Sequence, residues 1–346
     1  MKIITLAFLV FCCLAITSEV KAQGKETDEI IKVNTNLVSI PVVVNDRDGR
    51  YIPNLKQSDF SVFQDGEPQE ISFFAAEEEP LNVALLLDTS KSTRNVLGEI
   101  QDAANDFIRL LKPDDRATIV TFDYRVNFLS PLTSDRQTLE RAIDEVDVGE
   151  FAGTVMRDAV AQVVNKSFAG VSGRKAIILL TDGKDFGSSP TEQELLKNLE
   201  ESDVMIYSIF YDTTQRQNFR GNGGGMGGMR RGGGFGRRGD IFADDFPPRD
   251  NPRAEMRRER QTLKNENAKN YLSQMSELTA GRFYEDANTN LGKTFALIAD
   301  ELKKQYRIGF YPKDEIAADN AVHQIKVKVA RNDVAVRARS TYRLKQ

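Results

Sequence analysis

The chain of 346 residues has no tryptophan, a single histidine (His323) and only two cysteines. Those cysteines, Cys12 and Cys13, lie side by side in an apolar run from Ile3 to Ile16, after Lys2 and before Val20-Lys21-Ala22. A basic start, an apolar centre and small residues at the end read as an export signal, residues 1–22, cleaved after Ala22. The run is shorter than the ~20 residues a membrane-spanning helix needs, so no transmembrane segment is expected after cleavage. Phe11 is too bulky for the small residue that lipoprotein processing prefers before Cys12. The mature chain would then carry no thiol. That excludes disulfides and thiol catalysis, and leaves an exported chain to be held by its core and any bound metal. No Ser/His pairing and no G-x-S-x-G elbow is present, so nucleophilic hydrolysis lacks its parts. Charge of one sign is lacking too: 47 Lys and Arg against 51 Asp and Glu leave −4, which points to neither nucleic acid nor an anionic membrane as a general partner.

What remains is enough for two domains, or one large domain with a satellite. In residues 33–78, Val38, Ile40, Val42 and Val44 alternate before Asp46-Arg47-Asp48-Gly49, and Phe60, Val62, Ile71 and Phe73 flank the hairpin dipeptide Asp65-Gly66. Pro41 favours an edge position there. From 80 to 305, buried-strand runs (Ala117–Phe122, Ala176–Leu180, Val204–Phe210) alternate with helical spacings such as Ile100, Ala103, Ala104, Phe107, Ile108 and Leu111. This predicts an α/β fold with a doubly wound, mostly parallel sheet. Residues 215–262, rich in Gly and Arg, read as a disordered insertion, because they cannot bury enough apolar surface to offset their ordering entropy. The helical pattern resumes near Asn267. Residues 306–346 read as three strands that complete a small β-sandwich begun by the N-terminal flank, since neither flank can close one alone.

The candidate site starts where the run Asn82–Leu87 ends in Asp88, followed by Ser90 and Ser92. Such a run reads as a strand buried on both faces, which puts these three oxygen donors in the loop at its carboxyl end, where open α/β sheets place ligands. Hard oxygen donors suggest a divalent cation, Mg²⁺ before a softer metal. Gly153-Thr154 at a helix start and Thr181-Asp182-Gly183 after another buried strand complete a pattern that resembles the metal-ion-dependent adhesion site of von Willebrand factor type A domains. The flanks, with Asp59-Phe60, Asp65-Gly66 and a strand-rich tail, more specifically resemble bacterial exported VWFA-related proteins of the Acidobacteria type.

The resemblance implies that Ser90 and Ser92 bind Mg²⁺ (or Mn²⁺ or Ca²⁺) directly and Thr154 directly or through water. It implies that Asp88 and Asp182 act through bound waters and by orienting the hydroxyls. Largely neutral ligands leave the cation most of its charge, so a carboxylate from a protein partner is a favourable further ligand. The expected function is an exported binding or adhesion protein, periplasmic or secreted, that is not an enzyme. Two rivals stand beside it: an envelope scaffold with an inert site, and a metal-dependent hydrolase with Asp123 or Asp185 as its base.

Other signals weigh less. Ala287–Thr294 nearly matches a phosphate-binding loop but reads as a helix start capped by Asn288 or Asn290. Leu87-Asp88-Thr89-Ser90 lacks the second Asp of a phosphohydrolase. The Gly/Arg stretch carries Asp240, Asp244, Asp245 and Asp250 and few aromatics, so a surface loop is favoured over a nucleic-acid binder. His323 is read as an ordinary surface residue.

Overall fold

The computed structural model of the protein describes residues 37–76, 79–149, 151, 153–211, 252–285, 290–312 and 321–344. The expected export signal (1–22) and residues 215–251 of the Gly/Arg-rich stretch lie outside the described residues. In chain order the first flank carries β1 (Val38–Asp46), β2 (Phe60–Gln64), β3 (Glu67–Gln69) and β4 (Phe73–Ala76). The centre carries β5 (Leu81–Asp88), β6 (Arg116–Phe122), β7 (Val126–Phe128), β8 (Arg174–Thr181), β9 (Val204–Phe210) and β10 (Arg282–Glu285). Its helices are α1 (Leu97–Leu110), α2 (Arg136–Asp144), α3 (Met156–Gln162, running on into a π turn at Val163–Ser167), α4 (Glu192–Glu200), α5 (Pro252–Leu278) and α6 (Leu291–Lys303). The last flank carries β11 (Tyr306–Phe310), β12 (His323–Val329), β13 (Val334–Ala338) and β14 (Thr341–Tyr342).

The central sheet has the order β10-β9-β8-β5-β6-β7. Every neighbouring pair is parallel except β6 with β7. β5 is buried at all of its positions because it is covered on both faces. Val83, Leu85 and Leu87 pack with Ile100, Phe107, Leu139, Phe295 and Ile298 from α1, α2 and α6. The alternate residues Ala84 and Leu86 pack with Met156, Val160, Leu195, Leu272 and Met275 from α3, α4 and α5. This is the period-2 division that makes a two-sided strand read as one unbroken apolar run. β5 pairs with β6 on one side and β8 on the other, so chain direction diverges at its carboxyl end and opens the crevice in which such sheets hold ligands.

Local signals place the helix starts. Asp135 caps α2, Thr191 and Glu194 form a reciprocal capping box on α4, and Asn290 caps α6 by accepting the Gly292 N–H at 2.9 Å. The near-match to a phosphate loop is thus a cap at Asn290. One boundary needs correction. Residues 252–262, whose composition reads as the end of the disordered insertion, are the first turns of α5, which begins at Pro252. The glycines stop at Gly239. Beyond Pro252 the chain is rich in Arg, Glu, Met, Gln and Leu, strong helix formers behind a proline suited to a first turn.

The two flanks build two antiparallel sheets, ordered β13-β1-β11-β4 and β14-β12-β2-β3. Their shared core includes Ile40, Val42, Phe60, Val62, Tyr306, Phe310, Ile325 and Tyr342. Asp65 (φ 51°) and Gly66 (φ 91°) join β2 to β3, the doubly left-handed two-residue turn that suits strand twist. β1 lies inside its sheet, not at an edge, but Pro41 pairs with β11 alone, because β13 joins only from Val42 onward. Its missing N–H therefore leaves no ladder bond unmade. His323 corrects the surface reading. It is 7% exposed, pairs across the sheet with Tyr342, and its Nδ1 lies 2.8 Å from an Asp65 carboxylate oxygen. The pairing of β12 with β14 covers it.

Buried charges join the sandwich to the central domain. Glu301 of α6 accepts the Tyr207 hydroxyl at 2.6 Å, pairs with Arg282 at 3.2 Å and with Arg337 of β13. Arg337 also donates to the carbonyls of Ala280 and Gly281. Arg307 pairs with Glu79 at 2.6 Å, and Arg174 donates to the Leu302 carbonyl at 2.6 Å. Removing Glu301 takes the carboxylate acceptor from the buried Tyr207 hydroxyl and the counter-charge from the half-buried Arg337. Glu301→Ala is expected to destabilise the protein by about 3 kcal/mol, read as a lower midpoint of urea unfolding. An unchanged midpoint would show that the cluster contributes nothing net.

Candidate metal centre

Asp88 ends β5 and is fully buried. One carboxylate oxygen accepts the Ser90 backbone N–H at 2.9 Å, and the other accepts the Thr181 hydroxyl at 2.8 Å. The first bond folds the chain into a turn just after the strand. The second ties the end of β5 to the end of β8. The Ser90 and Ser92 hydroxyl oxygens lie 2.8 Å apart. Thr93 holds the loop from below, with its hydroxyl and its N–H both donating to the Ser90 carbonyl at 2.8 and 3.0 Å.

The loop after β8 brings Asp182, 2% exposed. Gly183 comes next with φ +72°, and a Cβ there would stand 2.6 Å from the Ala268 Cβ of α5. Only glycine meets both the left-handed backbone and that close approach. The Gly183 N–H donates to the Thr181 hydroxyl at 3.0 Å, which turns that hydroxyl's own proton toward Asp88. Lys184 donates to Asp182 twice, from its backbone N–H at 3.2 Å and from its ammonium at 2.6 Å.

Thr154 lies in the loop before α3, two residues ahead of its first turn, and is buried. Its carbonyl accepts the Phe186 N–H at 2.8 Å, and Val155 donates to the Asp123 carbonyl at 2.8 Å. The Thr154 loop is therefore fastened to the loops after β8 and β6. All five sequence-predicted residues stand at the carboxyl edge of the parallel strands. Direct contacts link Asp88 with Ser90 and Ser90 with Ser92, while Thr154 joins through its backbone.

Electrostatics mark the place. Burial, and then the charge of Asp182, push the Asp88 carboxyl up to about 7, against the hydrogen bonds from Ser90 and Thr181 that favour its charged form. Tyr211, just past β9, is buried with its hydroxyl unpaired among protein groups, and its proton is held tightly by burial and by the charges of Asp88 and Asp182. Two acids thus share a buried edge with one ammonium, on Asp182, a surplus of negative charge that a cation would offset. The donors are three hydroxyls and two carboxylates, all hard oxygens. Hard oxygen donors suit a hard cation better than a soft one; among the described residues no group of three or more His, Cys, Asp and Glu is placed to hold a metal.

Both candidate bases are engaged by neighbouring groups. Asp185 pairs with Arg157 at 3.2 Å and accepts the Arg157 N–H and the Ser188 hydroxyl at 2.9 and 2.7 Å, which pins the start of α3. Asp123 is buried, accepts the Arg125 N–H at 3.0 Å, and is crowded by Gly149, where a Cβ would fall 2.2 Å from it. Sequence reasoning passes over Thr181, Lys184 and Tyr211. Thr181 and Lys184 flank Asp182, but only the turn at Gly183 decides what they touch. Tyr211 has no signal beyond its place at a strand end.

Residues 83–184 match the von Willebrand factor type A domain family. Solved structures show weaker likeness. The conserved hypothetical protein BatB of Bacteroides thetaiotaomicron is 17% identical over 64% of this chain and 97% of its own, at a TM-score of 0.42. The vWF domain of the type V pilus tip protein Mfa5 of Porphyromonas gingivalis is 13% identical over 64% and 94%, at 0.42. Proximal thread matrix protein 1 of the mussel byssus, solved with a zinc-occupied MIDAS motif, is 16% identical over 66% and 49%, at 0.42. No described helix is long and apolar enough to cross a membrane. The two-sided parallel sheet and the loops at its carboxyl edge thus contain the segment, residues 83–184, that matches the von Willebrand factor type A domain family.

Proposed function

We propose that the protein is an exported binding protein whose edge loops hold Mg²⁺ and use it to take up a carboxylate of a protein partner. One observation carries this reading. Asp88 and Asp182 arrive from different strands, are both buried, and sit close enough that the charge of one suppresses ionisation of the other. In this reading Ser90, Ser92 and Thr154 present hydroxyl oxygens to the ion, while Asp88 and Asp182 balance charge and orient hydroxyls and waters. A bound divalent cation supplies Lewis acidity toward a further oxygen ligand. Thr181 and Thr93 keep the loops in place. Export is inferred from the reading of residues 1–22, with periplasm or exterior as the destination.

The Lys184 ammonium on Asp182 favours a second reading, a scaffold in which Lys184 is the permanent counter-ion and no divalent cation enters. Calorimetric titration with Mg²⁺ and Mn²⁺ separates the two. Heat of binding is expected for the wild type and its loss for Asp88→Ala, whereas equal heats from both proteins would reject the site. Lys184→Met removes the competing charge and is expected to tighten Mg²⁺ binding roughly tenfold, about 1.4 kcal/mol. Silence from wild type and Lys184→Met alike would leave the scaffold reading standing.

Proton linkage gives a further check. The folded Asp88 carboxyl titrates at about 7 against 3.8 as its ordinary value. The folded state therefore holds a proton that the unfolded state has released between those values, and stability falls as pH rises through that window. In EDTA, Asp88→Asn, which removes the charge but turns one of the two acceptors used by Ser90 and Thr181 into a donor, is expected to compare more favourably with the wild type in melting temperature at pH 8 than at pH 4. A pH-independent difference would show that Asp88 is not strained by its own charge.

A further inference from the structure

Five large aromatics are exposed among the described residues, and three of them ring the candidate centre: Tyr124, Phe151 and Phe186, at 38%, 57% and 59%. They belong to three loops fastened to one another. The Tyr124 and Phe151 rings meet edge to face with centroids 4.9 Å apart. Gly153 lies between these loops with φ +141°, and a Cβ on it would stand 3.0 Å from the Tyr124 Cβ and 3.8 Å from the Phe186 carbonyl oxygen. Phe186 is bonded through its backbone to Thr154. The glycine therefore lets the aromatic rim close down beside Thr154, one of the proposed cation-holding residues.

Charge on the same loops points to the occupant. Lys91 and Arg94, on and just beyond the Ser90–Ser92 loop, and Arg125, next to Tyr124, are exposed. The Arg125 guanidinium carbon lies 5.2 Å from the centre of the Tyr124 ring. Exposed Glu145 and Asp147 line the same cleft as Tyr124, Arg125 and Phe151. The cations nearest the Ser90–Ser92 loop, Lys91 and Arg94, therefore face the acidic residue of a bound segment, and the rings complement apolar flanks on either side of it. Rings already exposed in the free protein, around a point that would grip one oxygen, have the layout of a central anchor with apolar flanks.

We propose that Tyr124, Phe151 and Phe186 are the specificity-determining surface of this site, and that its partner is a protein segment whose Asp or Glu is flanked by aromatic or large aliphatic side chains. The proposal rests on the cation reading above and adds what the carboxylate's neighbours must be. The cation anchors one oxygen. The rings select which acidic segments stay.

The test uses the full protein and three synthetic nonapeptides, with a central Asp between two Phe, a central Asp between two Ala, and a central Asn between two Phe. Mg²⁺ is titrated first by calorimetry, then each peptide is bound in Mg²⁺ and in EDTA. Expected is Mg²⁺-dependent binding of the Phe-flanked Asp peptide, at least roughly tenfold tighter than the Ala-flanked or Asn peptides. Phe151→Ala/Phe186→Ala should weaken that peptide by a similar factor while the Mg²⁺ heat and melting temperature stay unchanged. Equal affinity for the Phe- and Ala-flanked peptides, no binding of either, or no effect of the double variant would overturn the rim assignment while leaving the cation reading intact. Absence of the initial Mg²⁺ heat in the wild type would remove the cation reading itself, and the rim assignment with it.

Discussion

The arrangement depends on one buried carboxylate. Asp88 ends a strand with no exposed residue and is tied at once to the next turn, through the Ser90 N–H, and to the neighbouring strand, through the Thr181 hydroxyl. Those bonds favour its charged form. Burial and Asp182 oppose it, and they prevail. The edge of the sheet therefore stores an electrostatic conflict that packing alone does not relieve, and that a proton on Asp88 relieves below about pH 7. Parallel strands suit this role because Val83–Leu87 and Ala176–Leu180, which lead to the two acids, are apolar and buried throughout, so the acids cannot swing out to water without unmaking the core.

The rest of the molecule keeps that edge rigid. Helices cover both faces of the sheet, and the two ends of the chain meet in a sandwich on the same framework. Arginines carry much of the join: Arg307, Arg337 and Arg339 of the sandwich reach carbonyls of the central domain or its borders. A guanidinium can satisfy several carbonyls at once where strand and helix ends leave them over, which a lysine cannot do in the same plane. Loops carry the other half of the division of labour. Those after β5, β6 and β8 and before α3 are bonded to one another through backbone groups, so the aromatics they expose are held by a frame and not by their own packing.

Much of the fold is legible in the sequence because burial imposes periods. The two-sided stretches Val83–Leu87 and Ala176–Leu180 are continuous apolar runs, and the abrupt change to Asp88 or Thr181-Asp182 marks where each leaves the core. Composition misleads where it is read too broadly. Glycine and arginine together look like one signal, yet past Pro252 arginine stands among helix formers. Composition also misleads at His323, whose polarity suggests water, while a two-residue strand, Thr341–Tyr342, covers it.

Sequence by itself determined the doubly wound sheet, the too-short flanks, and which oxygen-bearing side chains emerge at strand ends, since all of these depend on local pattern and on how much surface a segment can bury. Tertiary structure alone decided that Thr181 serves Asp88, that Lys184 turns back on Asp182, that Glu301 gathers Tyr207, Arg282 and Arg337, and that Tyr124, Phe151 and Phe186 share one rim. Each of those relations joins residues through a turn angle or a strand register, and side chains brought together by folding leave no periodic trace along the chain.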